Sequence, residues 1–308
     1  MRARAIATTT AAAATTAWLV RHRRSAAVRR WEPPAISGAR HGQLHARVGG
    51  DGDDAVVMLH GMVSTGDVFG RAYDRLADTG RLVVPDLLGF GRSMDTSRMS
   101  FSPDAHLDAL DELAERTGLF ERRWTIGAHS MGSALAMLWA ARHADRVDRL
   151  VCWGAPMYDS PRTARARING SRMARLVLLD PTWAERTCAI SCRYRGGMGV
   201  LTALIEPDLP IPIARTVTQH SWSAYRDGMR YLVLEPDWEE LHNHLTERGV
   251  EILLAWGTKD PVGDPELGRT LSASSPRSRT VLVPGADHYL PMTHDATCLG
   301  HLARHRNP

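Results

Sequence analysis

The chain has 308 residues, of which 44% are hydrophobic and 23% charged, ample apolar material for a single large core. Its formal net charge is +4, but seven arginines precede the first acid, Glu32. Without them the remainder stands at −3, which excludes a basic body built to bind nucleic acid.

The opening segment, residues 1–32, reads as a basic extension. Arg2 and Arg4 precede an Ala/Thr-rich run from Ala5 to Val20, and Arg21, Arg23, Arg24, Arg29 and Arg30 follow it. A membrane span needs about 20 mainly apolar residues, and this run is too short and too rich in threonine. A secretory signal would carry fewer charges directly after its apolar run. The expected order is therefore a disordered or amphipathic extension first, weak contact with anionic membranes second and a cleaved signal third.

From residue 33 the sequence alternates between strand and helix signals. A first strand is expected around Gln43 to Val48, then Ala55–Leu59, a helix from about Val68 to Asp78, and the strand Arg81–Val84. A helix from Asp104 to Thr117 leads to the short apolar run Trp124–Gly127, a helix from Met131 to Ala141, and the strand Leu150–Trp153. The alternation then stops for nearly a hundred residues, too long for an ordinary connection. Residues 155–249 are read as a helical cap, with helices over Arg172–Leu179 and Ser221–Leu234 and a proline-rich break at Pro207–Pro212. Met157, Met173, Met198, Met229, Trp183, Trp222, Tyr225 and Tyr231 give the cap apolar, adaptable side chains, most of which would pack the cap on itself. Alternation resumes with Val250–Leu254, a helix from about Pro265 to Ser272, the strand Thr280–Val283 and a terminal helix from Pro291 to about Arg304. The expected fold class is α/β: a mostly parallel sheet with helices on both faces, its core formed by residues 33–154 and 250–308.

Chemistry concentrates at the ends of the expected strands. Ala128-His129-Ser130-Met131-Gly132 sits where a buried strand turns into a helix, with small residues two positions to either side of the serine. His60-Gly61-Met62 ends another strand, Asp260 follows Val250–Leu254 in a Gly-x-x-Asp-Pro loop, and His288 follows Thr280–Val283. The order Ser, Asp, His at these spacings resembles the α/β-hydrolase superfamily over roughly residues 33–305, rather than chymotrypsin-like or subtilisin-like enzymes. The resemblance implies that Ser130 is the nucleophile, His288 the general base and Asp260 the acid that orients it. It also implies backbone N–H groups of Met62 and Met131 as oxyanion donors, with both methionine side chains as apolar walls of the acyl pocket. His60 is expected to brace loops, and His129 to point away from the serine. Asp264 reads as a helix N-cap ahead of Pro265, and Asp287 is expected to point elsewhere, though both compete with Asp260 on sequence alone.

Val83-Val84-Pro85-Asp86-Leu87-Leu88-Gly89-Phe90-Gly91-Arg92-Ser93 lacks the third glycine and helix of a dinucleotide fingerprint, so Asp86 and Arg92 are given structural roles. The four cysteines have no paired metal-ligand spacing and read as free thiols in a reducing, cytoplasmic setting. No cofactor and no metal are expected.

The expected activity is a serine carboxylesterase acting on a small apolar ester. The alternatives are a carbon–carbon bond hydrolase, which would need a cation such as Arg172, Arg175 or Arg226 for a substrate carboxylate, a cofactor-free haloperoxidase or perhydrolase, and a ligand receptor without turnover.

Overall fold

The computed structural model describes residues 15–169 and 181–303. Eight strands form one sheet: β1 (Gly38–His41), β2 (Leu44–Gly49), β3 (Asp54–Leu59), β4 (Arg81–Pro85), β5 (Arg123–His129), β6 (Val147–Trp153), β7 (Glu251–Gly257) and β8 (Ser278–Val283). Their spatial order is β1-β2-β4-β3-β5-β6-β7-β8. β2 pairs antiparallel with both β1 and β4, and all pairings from β4 to β8 are parallel. This is the α/β-hydrolase architecture. The near-continuous apolar runs of β5, β6 and β7 are buried on both faces, as helices on either side of a parallel sheet require.

Three departures from the sequence expectations have physical causes. β1 was not anticipated; it folds back on β2 through a turn at Gly42, whose φ of 63° suits glycine. The single helix expected over Val68–Asp78 is instead three short turns, Gly66–Val68, Arg71–Asp74 and Arg75–Asp78. The buried Arg47 guanidinium donates to the Phe69 carbonyl and to the Gly66 carbonyl, which also accepts the Phe69 N–H, and this shared bonding favours short turns over one continuous helix. Gly70 is pressed so closely on Glu32 that an added Cβ would lie 2.4 Å from its carbonyl oxygen. The terminal helix likewise divides into Leu290–Thr293 and Asp295–Leu302, because His294 leaves the helical region at φ −136°.

Between β6 and β7 lies an insertion of helices: Pro161–Asn169, Pro181–Arg193, Arg195–Ile205, Ile211–Thr216, Trp222–Met229 and Trp238–Glu247. The expected helix Arg172–Leu179, with Met173, lies outside the described residues. The expected helix Ser221–Leu234 begins with Ser221 as N-cap and changes to a π-turn over Arg230–Leu234. The insertion is fastened to the body by the Asp227 carboxylate, which accepts the Phe101 N–H at 2.8 Å, and by Gly91 N–H donating to Gln219 O at 2.8 Å. Residues 15–24 and Ala26–Arg30 are helical, and Ser25 between them caps the second helix.

Candidate active site

β3 lies between β4 and β5, so the chain leaves it in one direction to form β4 and returns to its other side as β5. Such a reversal opens a crevice at the carboxyl ends of the two strands. His60-Gly61-Met62 leaves β3 there, and Ser130 leaves β5.

Ser130 joins β5 to the helix Met131–Arg142 at φ 53° and ψ −127°, a left-handed conformation that costs a non-glycine residue about 1–3 kcal/mol. Its own N–H donates to Trp153 O on β6 at 2.9 Å, which holds the strained turn in place. Two glycines are required by close approach. An added Cβ on Gly132 would lie 2.5 Å from His60 O, and one on Gly61 would lie 2.9 Å from Ser130 Cβ.

The structure brings Ser130, His288 and Asp260 together. His288 Nε2 lies 3.1 Å from Ser130 Oγ, and His288 Nδ1 lies 3.0 Å from each carboxylate oxygen of Asp260. Asp260 is almost fully buried and also accepts the Val262 N–H at 2.8 Å, so its carboxylate is fixed rather than free to rotate. Asp264 accepts the Glu266 N–H and caps the helix Pro265–Ala273, while Asp287 accepts the Tyr289 N–H. Neither competes for the imidazole.

Two further histidines support this arrangement from inside the protein. Leu87 N–H donates to His60 Nε2 at 2.8 Å, so the His60 proton is on Nδ1 and is donated to Gly61 O at 2.7 Å. In a trans peptide the carbonyl and the following N–H point in opposite directions, so this bond turns the Met62 N–H away from His60. His129 Nε2 donates to the backbone carbonyl of His288 at 2.8 Å. It therefore avoids Ser130 Oγ, as expected, yet braces the residue that faces the serine. The sequence carries no signal for that role, because the partner is 159 positions away and is a main-chain atom. Gly154 was missed for the same reason: at φ 57° its Cα faces the Asp260–His288 pair, and an added Cβ would sit 2.9 Å from Asp260 Oδ2.

Burial lowers the His60 pKa and pushes His129 down to about 3, the neighbouring His288 adding to the effect at His129. Burial also lowers His106 and His220 to about 4, and both ring nitrogens of His106 lack a hydrogen-bond partner among the described residues. The His106, His129 and His220 rings are neutral in the fold down to about pH 4, whereas in the unfolded chain they take up protons near pH 6.5. The unfolded state thus binds more protons between about pH 6.5 and 4, and stability falls as pH falls through that window, by about 1.4 kcal/mol per pH unit for each group. Thermal melts are expected to show a clear loss of Tm from pH 7 to pH 5, with a shallower slope in His106→Leu. A Tm independent of pH over this range contradicts the assignment.

Ser130, His129 and His288 open on a cavity of about 300 Å³. Met62, Val63 and Val68 from the body face Leu209, Ile213, Val217, Met229 and Val233 from the insertion across it. Met229 directly precedes the π-turn and Val233 lies within it, and both line the cavity. Tyr158, which orders the Asp260 loop by accepting the Gly263 N–H, was also not foreseen. No charged side chain lines the cavity among the described residues.

Met62 lines this cavity, but Met131 does not. Met131 is fully buried in the core with its sulfur against Gly228, correcting the expectation that both methionines wall an acyl pocket. Arg226 is turned to Asp227 and the Met99 carbonyl, away from the cavity; Arg172 and Arg175 lie outside the described residues. Asp86 is buried at the sheet rim, where it accepts the Gly66 and Arg92 N–H groups, a structural role. Cys188 and Cys192 lie a helical turn apart as free thiols.

The chain is 28% identical over 266 residues to an uncharacterized protein of Mycobacterium tuberculosis, covering 81% of this chain and 74% of that one. It is 28% identical over 271 residues to a pimeloyl-[acyl-carrier protein] methyl ester esterase of Chromobacterium violaceum, covering 83% and 95% respectively. Among solved structures, a bromoperoxidase from Bacillus anthracis superimposes with a TM-score of 0.65 at 19% identity, over 86% of this chain and 99% of that one. The model of the alpha/beta hydrolase family matches residues 56–299. With the sheet order and the strand-end site, this match establishes that the chain belongs to the alpha/beta hydrolase family.

Proposed function

We propose that this protein hydrolyses small apolar carboxylic esters through an acyl-enzyme formed on Ser130. The observation that carries this reading is the continuous hydrogen-bonded sequence Ser130–His288–Asp260 opening on an apolar cavity. His288 Nε2 takes the hydroxyl proton as Ser130 Oγ bonds to the ester carbon. The carbon–alkoxide bond then breaks, and the proton passes from His288 to the departing alcohol. Water, activated by the same imidazole, releases the acid and restores the serine. Asp260 holds the proton on Nδ1, so that Nε2 can accept, and stabilises the imidazolium that forms. The oxyanion donors in this reading are the N–H of Met62, aimed by His60, and that of Met131, a first-turn helix amide without an intrahelical partner.

A carbon–carbon bond hydrolase acting on a carboxylate substrate finds no cation on the described cavity wall, which favours the neutral ester. The test is a p-nitrophenyl ester series from acetate to palmitate, with fluorophosphonate labelling of the serine. Each methylene buried in the cavity adds about 0.8 kcal/mol, so kcat/KM is expected to rise roughly fourfold per methylene while the chain still fits, then fall. Absence of both labelling and turnover across the series in folded protein overturns the reading. Turnover of a ring-fission dienoate alone transfers it to the carbon–carbon hydrolase.

A further inference from the structure

We propose that the outer face of the insertion, together with the basic N-terminal helix, docks on an anionic phospholipid bilayer surface. In the helix Arg195–Ile205 the small residues Gly199 and Ala203 are buried, and Gly199 packs on Arg215 of the next helix. At 100° per residue Leu201, Leu204 and Ile205 fall on the opposite side with Val200 at its edge, and all four are 43–60% exposed. A surface helix normally turns its polar residues to solvent, and this one turns large aliphatic side chains there. The preceding helix adds Trp183 and Ile190, each 56% exposed.

The basic helix is attached at the end of this apolar one. Arg21 pairs with Asp208, His22 Nδ1 donates to Pro207 O at 2.8 Å, and Ser25 Oγ donates to Asp208 O at 2.6 Å. Its exposed side chains include Leu19 and Val20 beside Arg23 and Arg24, with Arg29 just beyond. Those three arginines form no ion pair among the described residues. Apolar face, basic helix and cavity are thus joined within five residues: Ile205 is exposed, Pro207 and Asp208 hold the helix, and Leu209 lines the cavity beside Ser130.

Exposed aliphatic groups next to uncompensated arginines match a bilayer whose surface is negative. The exposed acids Glu185 and Glu206 are outnumbered by Arg23, Arg24, Arg29, Arg186 and Arg193. A second copy of the chain would bring arginine-rich surfaces together instead. No helix among the described residues is long and apolar enough to cross a membrane. Docking places the cavity wall beside the bilayer, where an apolar ester partitions; that delivery rests on the ester-hydrolase reading, but the docking does not.

Full-length Ser130→Ala protein should be sedimented with vesicles of phosphatidylcholine containing about one-third phosphatidylglycerol, and with pure phosphatidylcholine. Binding is expected to be on the order of tenfold tighter to the anionic vesicles, to weaken with salt, and to fall by a similar factor in Leu204→Ser/Ile205→Ser and in Arg23→Glu/Arg24→Glu. Added to active protein, the Leu204→Ser/Ile205→Ser pair should leave Tm and turnover of dissolved p-nitrophenyl acetate unchanged, so failure of docking and failure of the hydrolase reading separate. Equal binding to both vesicle types, binding indifferent to these substitutions, or a concentration-dependent dimer abolished by them overturns the proposal.

Discussion

Ser130→Ala is expected to lower kcat/KM for p-nitrophenyl butyrate on the order of 10⁴-fold or more, with the fold intact. The change removes only Oγ, 3.1 Å from His288 Nε2, and leaves the main chain of the turn in the same constraints. The Trp153 bond to the Ser130 N–H and the contacts at Gly61 and Gly132 are unaffected. Activity that remains would come from water attacking a carbonyl polarised by the Met62 and Met131 N–H groups. His288→Ala is expected to cost about as much as Ser130→Ala, and the double substitution little more, because the two groups act in one step. Steady-state kinetics on the three variants, with circular dichroism to verify folding, decides it. A Ser130→Ala protein that retains more than about a tenth of wild-type turnover would falsify the acyl-enzyme.

Asp260→Asn has the second-largest expected effect, a loss on the order of 10³–10⁴ in kcat with little change in KM. Both oxygens of Asp260 lie 3.0 Å from His288 Nδ1 in a buried site, so the carboxylate can only accept there. An asparagine can present its N–H₂ to the ring instead, which leaves Nδ1 bare, puts the proton on Nε2 and removes the base from Ser130. KM is spared because Asp260 does not line the cavity. Asp264→Asn and Asp287→Asn serve as controls, since both carboxylates bind backbone N–H groups away from the imidazole and should change kcat by less than about threefold. Comparable losses in all three variants would remove Asp260 from its proposed role.

The strands around the site were legible because a parallel sheet buried on both faces needs unbroken apolar segments, and β3, β5 and β7 are such segments. The helix Pro103–Arg116 was legible from its periodicity, and Ser102 and Pro103 mark its start. By contrast, residues 66–78 carry a helical pattern but do not form one helix. Arg47, from a distant strand, competes for their carbonyls, and a local pattern contains no information about that competitor. The break at His294 escaped the same reading.

The sequence by itself determined the alternation of elements, the strand ends that carry His60, Ser130, Asp260 and His288, and the glycines that allow a serine at positive φ between a strand and a helix. Each of these depends on neighbours in the chain or on a motif of fixed spacing. Only the tertiary structure decided which aspartate faces His288, that His129 braces that histidine, that Met131 lies in the core while Met62 lines the cavity, and that the insertion closes over the serine with aliphatic side chains. Those outcomes depend on side-chain directions set by packing between segments tens to more than a hundred residues apart, and no local pattern encodes such directions.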